Sequence, residues 1–303
     1  MSFSSDAKAE ICQNRIDKRC CAVAESYGVL LYCNTFSPGE IKISTSNAEF
    51  AERLPKLFRK AFGISFDIHP SAEAEGSVKK NFIIKDPAKL ETVFNAFDLS
   101  KDTTLAQHLN YGVIENECCK ISFLRGAFLA GGSVTSPEKR YHLEMTSSHH
   151  SAARETMPIL QEFGFSPKES SRAGNALVYF KQADAISELL ALIGAPVISM
   201  DVLTAKVEKE MRNTITRQIN CDSANADKTV AAAQEQITAI KRFANEYGLD
   251  ALPEHLKDAA LLRITNPEAS LADLAKLSSP KVSKSCLSHR LKKIMSMMPE
   301  EKE

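Results

Sequence analysis

Leu124-Arg125-Gly126-Ala127-Phe128-Leu129-Ala130-Gly131-Gly132 is the stretch whose reading decides the fold. Read as a helix, it is nearly bare on one face, because Gly126, Ala127, Ala130, Gly131 and Gly132 offer almost no side chain. A bare face lets a second helix backbone approach closely, with dispersion contacts replacing side-chain packing. In a globular protein such a face calls for a partner.

An internal duplication supplies one. Cys20-Cys21 and Cys118-Cys119 lie 98 residues apart, and the same offset relates Asn34 to Gly132 and Phe36 to Val134. Between those marks the first copy carries Ala24-Glu25-Ser26-Tyr27-Gly28-Val29-Leu30-Leu31, whose Ala24 and Gly28 make a thinner version of the bare face. Ile41 to Thr45 and Leu143 to Ser147 both alternate as half-buried strands do. Each precedes a helical run ending in Phe-Gly, at Phe62-Gly63 and Phe163-Gly164; Gly suits a left-handed helix end. Asn81 to Lys85 and Leu177 to Lys181 read as buried strands 96 residues apart. At that offset Leu90, Val93, Phe94 and Phe97 match Ile186, Leu189, Leu190 and Ile193, both sets with helical spacing. Each half therefore reads as helix, strands, helix, strand, helix, and the pair predicts a pseudo-two-fold domain over about residues 18–197.

The Leu124–Gly132 stretch resembles the LAGLIDADG motif of homing endonucleases. That resemblance implies two such helices paired on a pseudo-two-fold axis, with curved sheets that lie along duplex DNA. In active members the penultimate acid of each motif binds the divalent ion that assists cleavage. Gly131 stands there in the second copy and Cys33, followed by Asn34, in the first. Neither offers the carboxylate oxygen that magnesium requires. The resemblance thus implies the fold without the nuclease; Glu25 and Glu144 are expected to be structural or solvated. Over nearly the whole chain the sequence resembles the WhiA family of bacterial regulators. The residues that carry this are Cys20-Cys21 with Ala24-Glu25, Cys118-Cys119 through Val134, Tyr141-His142-Leu143-Glu144, Met211-Arg212-Asn213, Asn220-Cys221 with Asn225, Ser283-Lys284-Ser285 and His289-Arg290-Leu291. The resemblance implies transcriptional regulation linked to cell division, chromosome segregation and, in some lineages, sporulation.

Beyond about Asp201 the pattern turns almost wholly helical. Val202, Val207, Met211 and Ile215 recur at helical intervals, and Asn220 to Asn225 reads as a polar turn. Lys228 to Tyr247 reads as a helix with Val230, Ile237, Ile240 and Phe243 inward, closed by Gly248. Three short helices follow. Pro253 falls in the first turn of one that ends before Asn266-Pro267. Ser270-Leu271-Ala272-Asp273 opens the next in the manner of a capping box. Ser278-Ser279-Pro280 turns the chain, and Ser283 or Ser285 caps a last helix in which Leu287, Leu291 and Ile294 form one inward stripe. A short helix, a turn and a basic helix is the helix-turn-helix arrangement. Ser285, Ser288 and His289 are expected to reach base edges. Lys281, Lys284, Arg290, Lys292 and Lys293 are expected to contact phosphates, adding affinity without sequence information. An ordinary solvated basic face is the plainer alternative, but Lys281–Met298 contains no acid at all.

The overall balance of 38 basic and 38 acidic side chains decides nothing about nucleic acid, since binding depends on where charge sits. No run approaches the roughly 18–20 apolar residues of a membrane span, and Met1–Glu10 lacks the apolar core of a signal peptide. A cytoplasmic, nucleoid-associated protein with reduced cysteines is expected. The vicinal cysteine pairs lack the two-residue gap of zinc knuckles, so no metal is expected; nor is a catalytic residue, a cofactor, a small-molecule substrate or a membrane partner. The expected architecture is α+β: an N-terminal helix (1–17), a degenerate first repeat (18–110), a second repeat (111–200), a linking helix and turn (201–227), and an all-α domain (228–303) with its helix-turn-helix at about 269–298. Double-stranded DNA is the expected partner. The alternative is a scaffold that binds another protein through the duplicated domain and DNA only weakly.

Overall fold

The computed structural model describes residues 2–70, 79–99 and 108–297. The chain divides into two compact units, Met1–Lys209 and Glu210–Glu303. The first unit opens with α1 (Phe3–Cys12) and then runs twice through one plan. The first pass is α2 (Arg19–Leu31), β1 (Thr35–Ser37), β2 (Glu40–Thr45), α3 (Ala48–Phe62), β3 (Lys80–Ile84) and α4 (Pro87–Asn95). The second is α5 (Glu117–Gly131), β4 (Gly132–Val134), β5 (Leu143–Ser147), α6 (His150–Glu162), β6 (Lys168–Arg172), β7 (Asn175–Phe180) and α7 (Ala183–Ile193).

The duplication is visible residue by residue. In one antiparallel sheet Ile41 faces Ile84 and Ile43 faces Phe82; in the other Leu143 faces Phe180 and Met145 faces Val178. All eight side chains are buried, so one face of each sheet covers the common core and the alternation fixes the register. Leu90, Val93, Phe94 and Phe97 are buried, as are their matches Ile186, Leu189, Leu190 and Ile193. Gly63 closes α3 at φ 73° and Gly164 follows α6 at φ 83°, a backbone that Gly adopts without the Cβ penalty.

The two passes differ at the sheet edge. The second sheet runs β4-β5-β7-β6, whereas among the described residues the first runs β1-β2-β3 with a bridge between Ile68 and Ile83 at the corresponding edge. Strand β6 leaves no mark in the sequence pattern because every residue of it is exposed; nothing alternates for a sequence reading to detect.

That Ile68 edge is held by Asp67. Its carboxylate accepts the backbone N–H groups of Lys85 (2.6 Å) and Asp86 (2.8 Å) and pairs with Lys89 Nζ at 2.5 Å. The lysine, aided by the two N–H donors, draws the Asp67 carboxyl down to about 2. A depressed carboxyl stabilises the fold above its unfolded value of 3.8, and the gain fades as pH falls through about 2. Asp67→Ala is therefore expected to lower unfolding free energy by roughly 1–2 kcal/mol at neutral pH. Urea titrations of both proteins should show that gap narrowing between about pH 4 and pH 2; a gap independent of pH would contradict the assignment.

In place of the expected turn at Asn220–Asn225, α8 (Pro196–Tyr247) continues through it without a break. Asn, Asp and Ser cost a helix only about 0.7 kcal/mol each at most, and neither Gly nor Pro interrupts the segment. The Asn225 amide bonds back to Cys221 Sγ at 3.7 Å instead of opening a turn. Val230 is exposed rather than inward, and the inward stripe of this stretch is Ala233, Gln236, Ile240 and Phe243. Pro253 is the N-cap of the following helix, one step outside its first turn.

Candidate nucleic-acid interface

Three helices build the basic surface of the second unit: α9 (Glu254–Thr265), α10 (Leu271–Leu277) and α11 (Lys284–Ser296). Leu256, Ala259 and Ala260 of α9, Leu274 and Ala275 of α10, and Leu287, Leu291 and Ile294 of α11 share one core with Ile240, Phe243 and Leu252. The caps are those the sequence announces. Ser270 Oγ accepts the Asp273 N–H at 3.2 Å, and Ser283, not Ser285, accepts the Cys286 N–H at 3.2 Å. Between the helices Ser278 Oγ accepts the Val282 N–H (3.0 Å) and donates to the Ala275 carbonyl (2.8 Å), fixing the turn. The predicted end at Met298 lies outside the described residues.

With Leu287, Leu291 and Ile294 inward, Ser285, His289, Lys292 and Lys293 fall on the opposite half of α11, Ser288 lies at its edge, and Lys284 opens the helix on the flank nearer the inward stripe. Lys284, Ser285, His289, Lys292 and Lys293 are exposed, as is Lys281 in the preceding turn, while Ser288 is half-buried. Arg290 stands apart. It is half-buried on the α9 flank, with Nη1 3.4 Å from the His255 carbonyl oxygen. The surface therefore holds four lysines and three small polar donors or acceptors. No acid occupies the first turn of α11, and the N–H groups there that Ser283 does not cap suit an anion.

In the first unit α2 and α5 lie against each other as the bare faces require. A Cβ on Gly28 would stand 2.1 Å from the Phe123 carbonyl oxygen, and one on Gly126 would stand 2.0 Å from that of Glu25. The degenerate ends of the two motifs serve structure. A Cβ on Gly131 would meet the Thr146 carbonyl oxygen at 2.3 Å, and one on Gly132 would meet Phe128; Ala130, beside them, is half-buried against the core. Cys33 is buried, donates to the Leu30 and Thr35 carbonyls at 3.2 Å, and has its thiol pushed up to about 12 by burial. Asn34 accepts the Ser44 N–H at 2.8 Å.

The remaining acids are structural. Glu25, 2% exposed, receives Arg53 in a two-pronged pair at 2.6 and 2.9 Å, with Arg125 at 3.6 Å. Arg53 also donates to the Cys12 (3.1 Å) and Asn14 (2.5 Å) carbonyls. Glu144, on β5, is held by His142 at 3.1 Å and Arg172 at 3.0 Å; burial opposes its ionisation, but these two donors outweigh it and keep the carboxyl below its usual range.

The four vicinal cysteines, whose spacing along the chain speaks against a metal, are brought together by the helix pair. Cys20, Cys21, Cys118 and Cys119 have all their sulfurs within 4.8 Å of one another. Among the described residues they are the one group of three or more His, Cys, Asp or Glu side chains placed to share an ion. Each pair stands at the start of its helix, and the packing of α2 on α5 brings the two pairs into one cluster.

Comparison with known proteins agrees with this anatomy. The family model for the WhiA LAGLIDADG-like domain matches residues 120–212, and the model for the WhiA C-terminal HTH domain matches residues 215–298. A protein of Ruminiclostridium cellulolyticum named probable cell division protein WhiA is 35% identical over 300 residues, covering 97% of this chain and 96% of its own. One of the same name from Clostridium botulinum is 33% identical over 317 residues, covering 100% and 99%. The crystal structure of full-length WhiA from Thermatoga maritima superposes with a TM-score of 0.59 at 23% identity, covering 98% of each chain, which supports the fold. A duplicated LAGLIDADG-like unit with degenerate motif ends, followed by a helix-turn-helix unit, places this chain in the WhiA family.

Proposed function

We propose that this protein is a sequence-specific DNA-binding regulator of transcription that does not cut DNA, and that it serves cell division as the names of its relatives suggest. The observation that carries this is the exposed, acid-free face of α11, set behind a capped short helix and a hydrogen-bonded turn. Ser285, Ser288 and His289 present donors and acceptors toward base edges, while Lys281, Lys284, Lys292 and Lys293 supply the phosphate contacts that fix orientation. Arg290 serves the packing of α11 on α9. Absence of nuclease chemistry is supported by Gly131 and Cys33 at the positions where a metal-binding acid would be needed.

The site and the fold support action inside the cell on the chromosome. Roles in chromosome segregation and sporulation belong to the same proposal, as does the division into an N-terminal helix, two repeats, a linker and the terminal helical domain. Mapping bound sites across the genome, followed by gel shifts on those sites, tests it. Lys284→Ala/Lys292→Ala/Lys293→Ala is expected to weaken specific binding by about tenfold or more while leaving helix content unchanged. Undiminished affinity in the folded variant would refute the assigned face. Incubation with plasmid and magnesium should leave the plasmid uncut; nicking would contradict the proposal.

A further inference from the structure

We propose that Cys20, Cys21, Cys118 and Cys119 form a tetrathiolate site for a single soft divalent cation, zinc by preference, which clamps together the leading ends of the two central helices.

The geometry is that of one ion. Zinc bound to thiolates at about 2.3 Å in a tetrahedron sets its sulfurs roughly 3.8 Å apart. The four sulfurs already lie within 4.8 Å of one another, about an ångström outside the spacing of a closed tetrahedron. An iron–sulfur cubane spreads its cysteines around a much larger core and fits this spacing less well. All four groups are thiols, as soft-metal sites require. They come as two equal pairs from symmetry-related positions, the second and third residues of α2 and of α5.

The surroundings suit the charge. Four thiolates around a divalent ion leave a net charge of about −2. Both helices aim their N-terminal N–H groups at that point, and in neither does the N-cap side chain, Lys18 or Asn116, make a capping bond. Thiolates in the first turn take the place of a cap, and the helix dipoles favour them. On binding, each thiol that ligates loses its proton to solvent. Cys20 is exposed and gives the ion an entry path.

The test uses the full-length chain purified under reducing, chelator-free conditions. Plasma mass spectrometry is expected to find about one zinc ion per chain. After metal removal, cobalt(II) is expected to give the intense visible bands and near-ultraviolet charge-transfer bands of tetrahedral tetrathiolate coordination. Cys20→Ser, at an exposed position that places no demand on folding, is expected to weaken cobalt binding and shift those bands to higher energy. Cys118→Ser/Cys119→Ser is expected to abolish them, with circular dichroism reporting whether the variant is folded. A reduced, folded wild-type chain that carries no metal and gives no cobalt bands overturns the proposal. So does a chain isolated with cysteine–cysteine disulfides that takes up no cobalt after reduction, and so does a Cys20→Ser protein with an unchanged cobalt spectrum.

Discussion

Gly126→Val is expected to unfold the duplicated domain rather than merely soften it. The new Cβ would sit 2.0 Å from the Glu25 carbonyl oxygen and 2.9 Å from the Val29 nitrogen, both backbone atoms of the facing helix. A flexible side chain could yield; a helix backbone can yield only by moving away. Separating α2 from α5 unpacks Tyr27, Leu30, Phe123 and Ala127, which are fully buried along the two helices. A loss above about 4 kcal/mol is expected, enough to abolish a folded population in a protein of ordinary stability. Gly39→Ala is the control, because a Cβ there meets nothing within 4 Å and the backbone needs no positive φ. Thermal melts should show a lost or strongly lowered transition for Gly126→Val and an unchanged one for Gly39→Ala. Two similar melting curves would mean that the helices do not pack as described.

Glu25→Ala is expected to cost nearly as much, for an electrostatic reason. Glu25 and Arg53 are 2% and 5% exposed, so removing the carboxylate leaves a guanidinium buried beside only the Cys12 and Asn14 carbonyls. Breaking a buried pair from one side costs about 3–5 kcal/mol, because the orphaned charge keeps its desolvation penalty. The pair itself contributes far less than that, since its attraction is largely offset by the cost of burying both charges. Glu25→Leu/Arg53→Met is therefore expected to be more stable than Glu25→Ala alone. Chemical denaturation of the three proteins checks the order, and a double variant less stable than the single one would show that Arg53 serves mainly the Cys12 and Asn14 carbonyls.

Periodicity and self-similarity make most of the architecture legible. Gly28 and Gly126 announce a close helix pair, and the 96-residue offset from Leu90 to Ile186 picks out side chains that are buried in both copies. Elements without a hydrophobic rhythm escape. Strand β6 is exposed throughout, and the polar Asn220–Asn225 segment imitates a turn although nothing in it forbids helix. At the basic surface, the sequence identifies the helix and its cap but not the direction of each side chain. Arg290 reads as one more phosphate contact until the Leu287-Leu291-Ile294 stripe is docked, which turns it toward His255. The cysteine cluster escapes for a different reason: ligand spacing is a signal within one segment, whereas these sulfurs meet across the duplication.

Salt dependence of binding to a mapped chromosomal site tests the central claim most directly. Removal of one phosphate-binding cation should flatten the slope of log affinity against log salt by about 0.9. The wild-type chain, with Lys281, Lys284, Lys292 and Lys293 exposed on the docking face, is expected to show a slope of about −3 or steeper. Lys284→Ala/Lys292→Ala/Lys293→Ala should flatten it by about 2–3 while the protein stays folded. A folded variant that binds the same site with the wild-type slope would place the DNA elsewhere on the molecule.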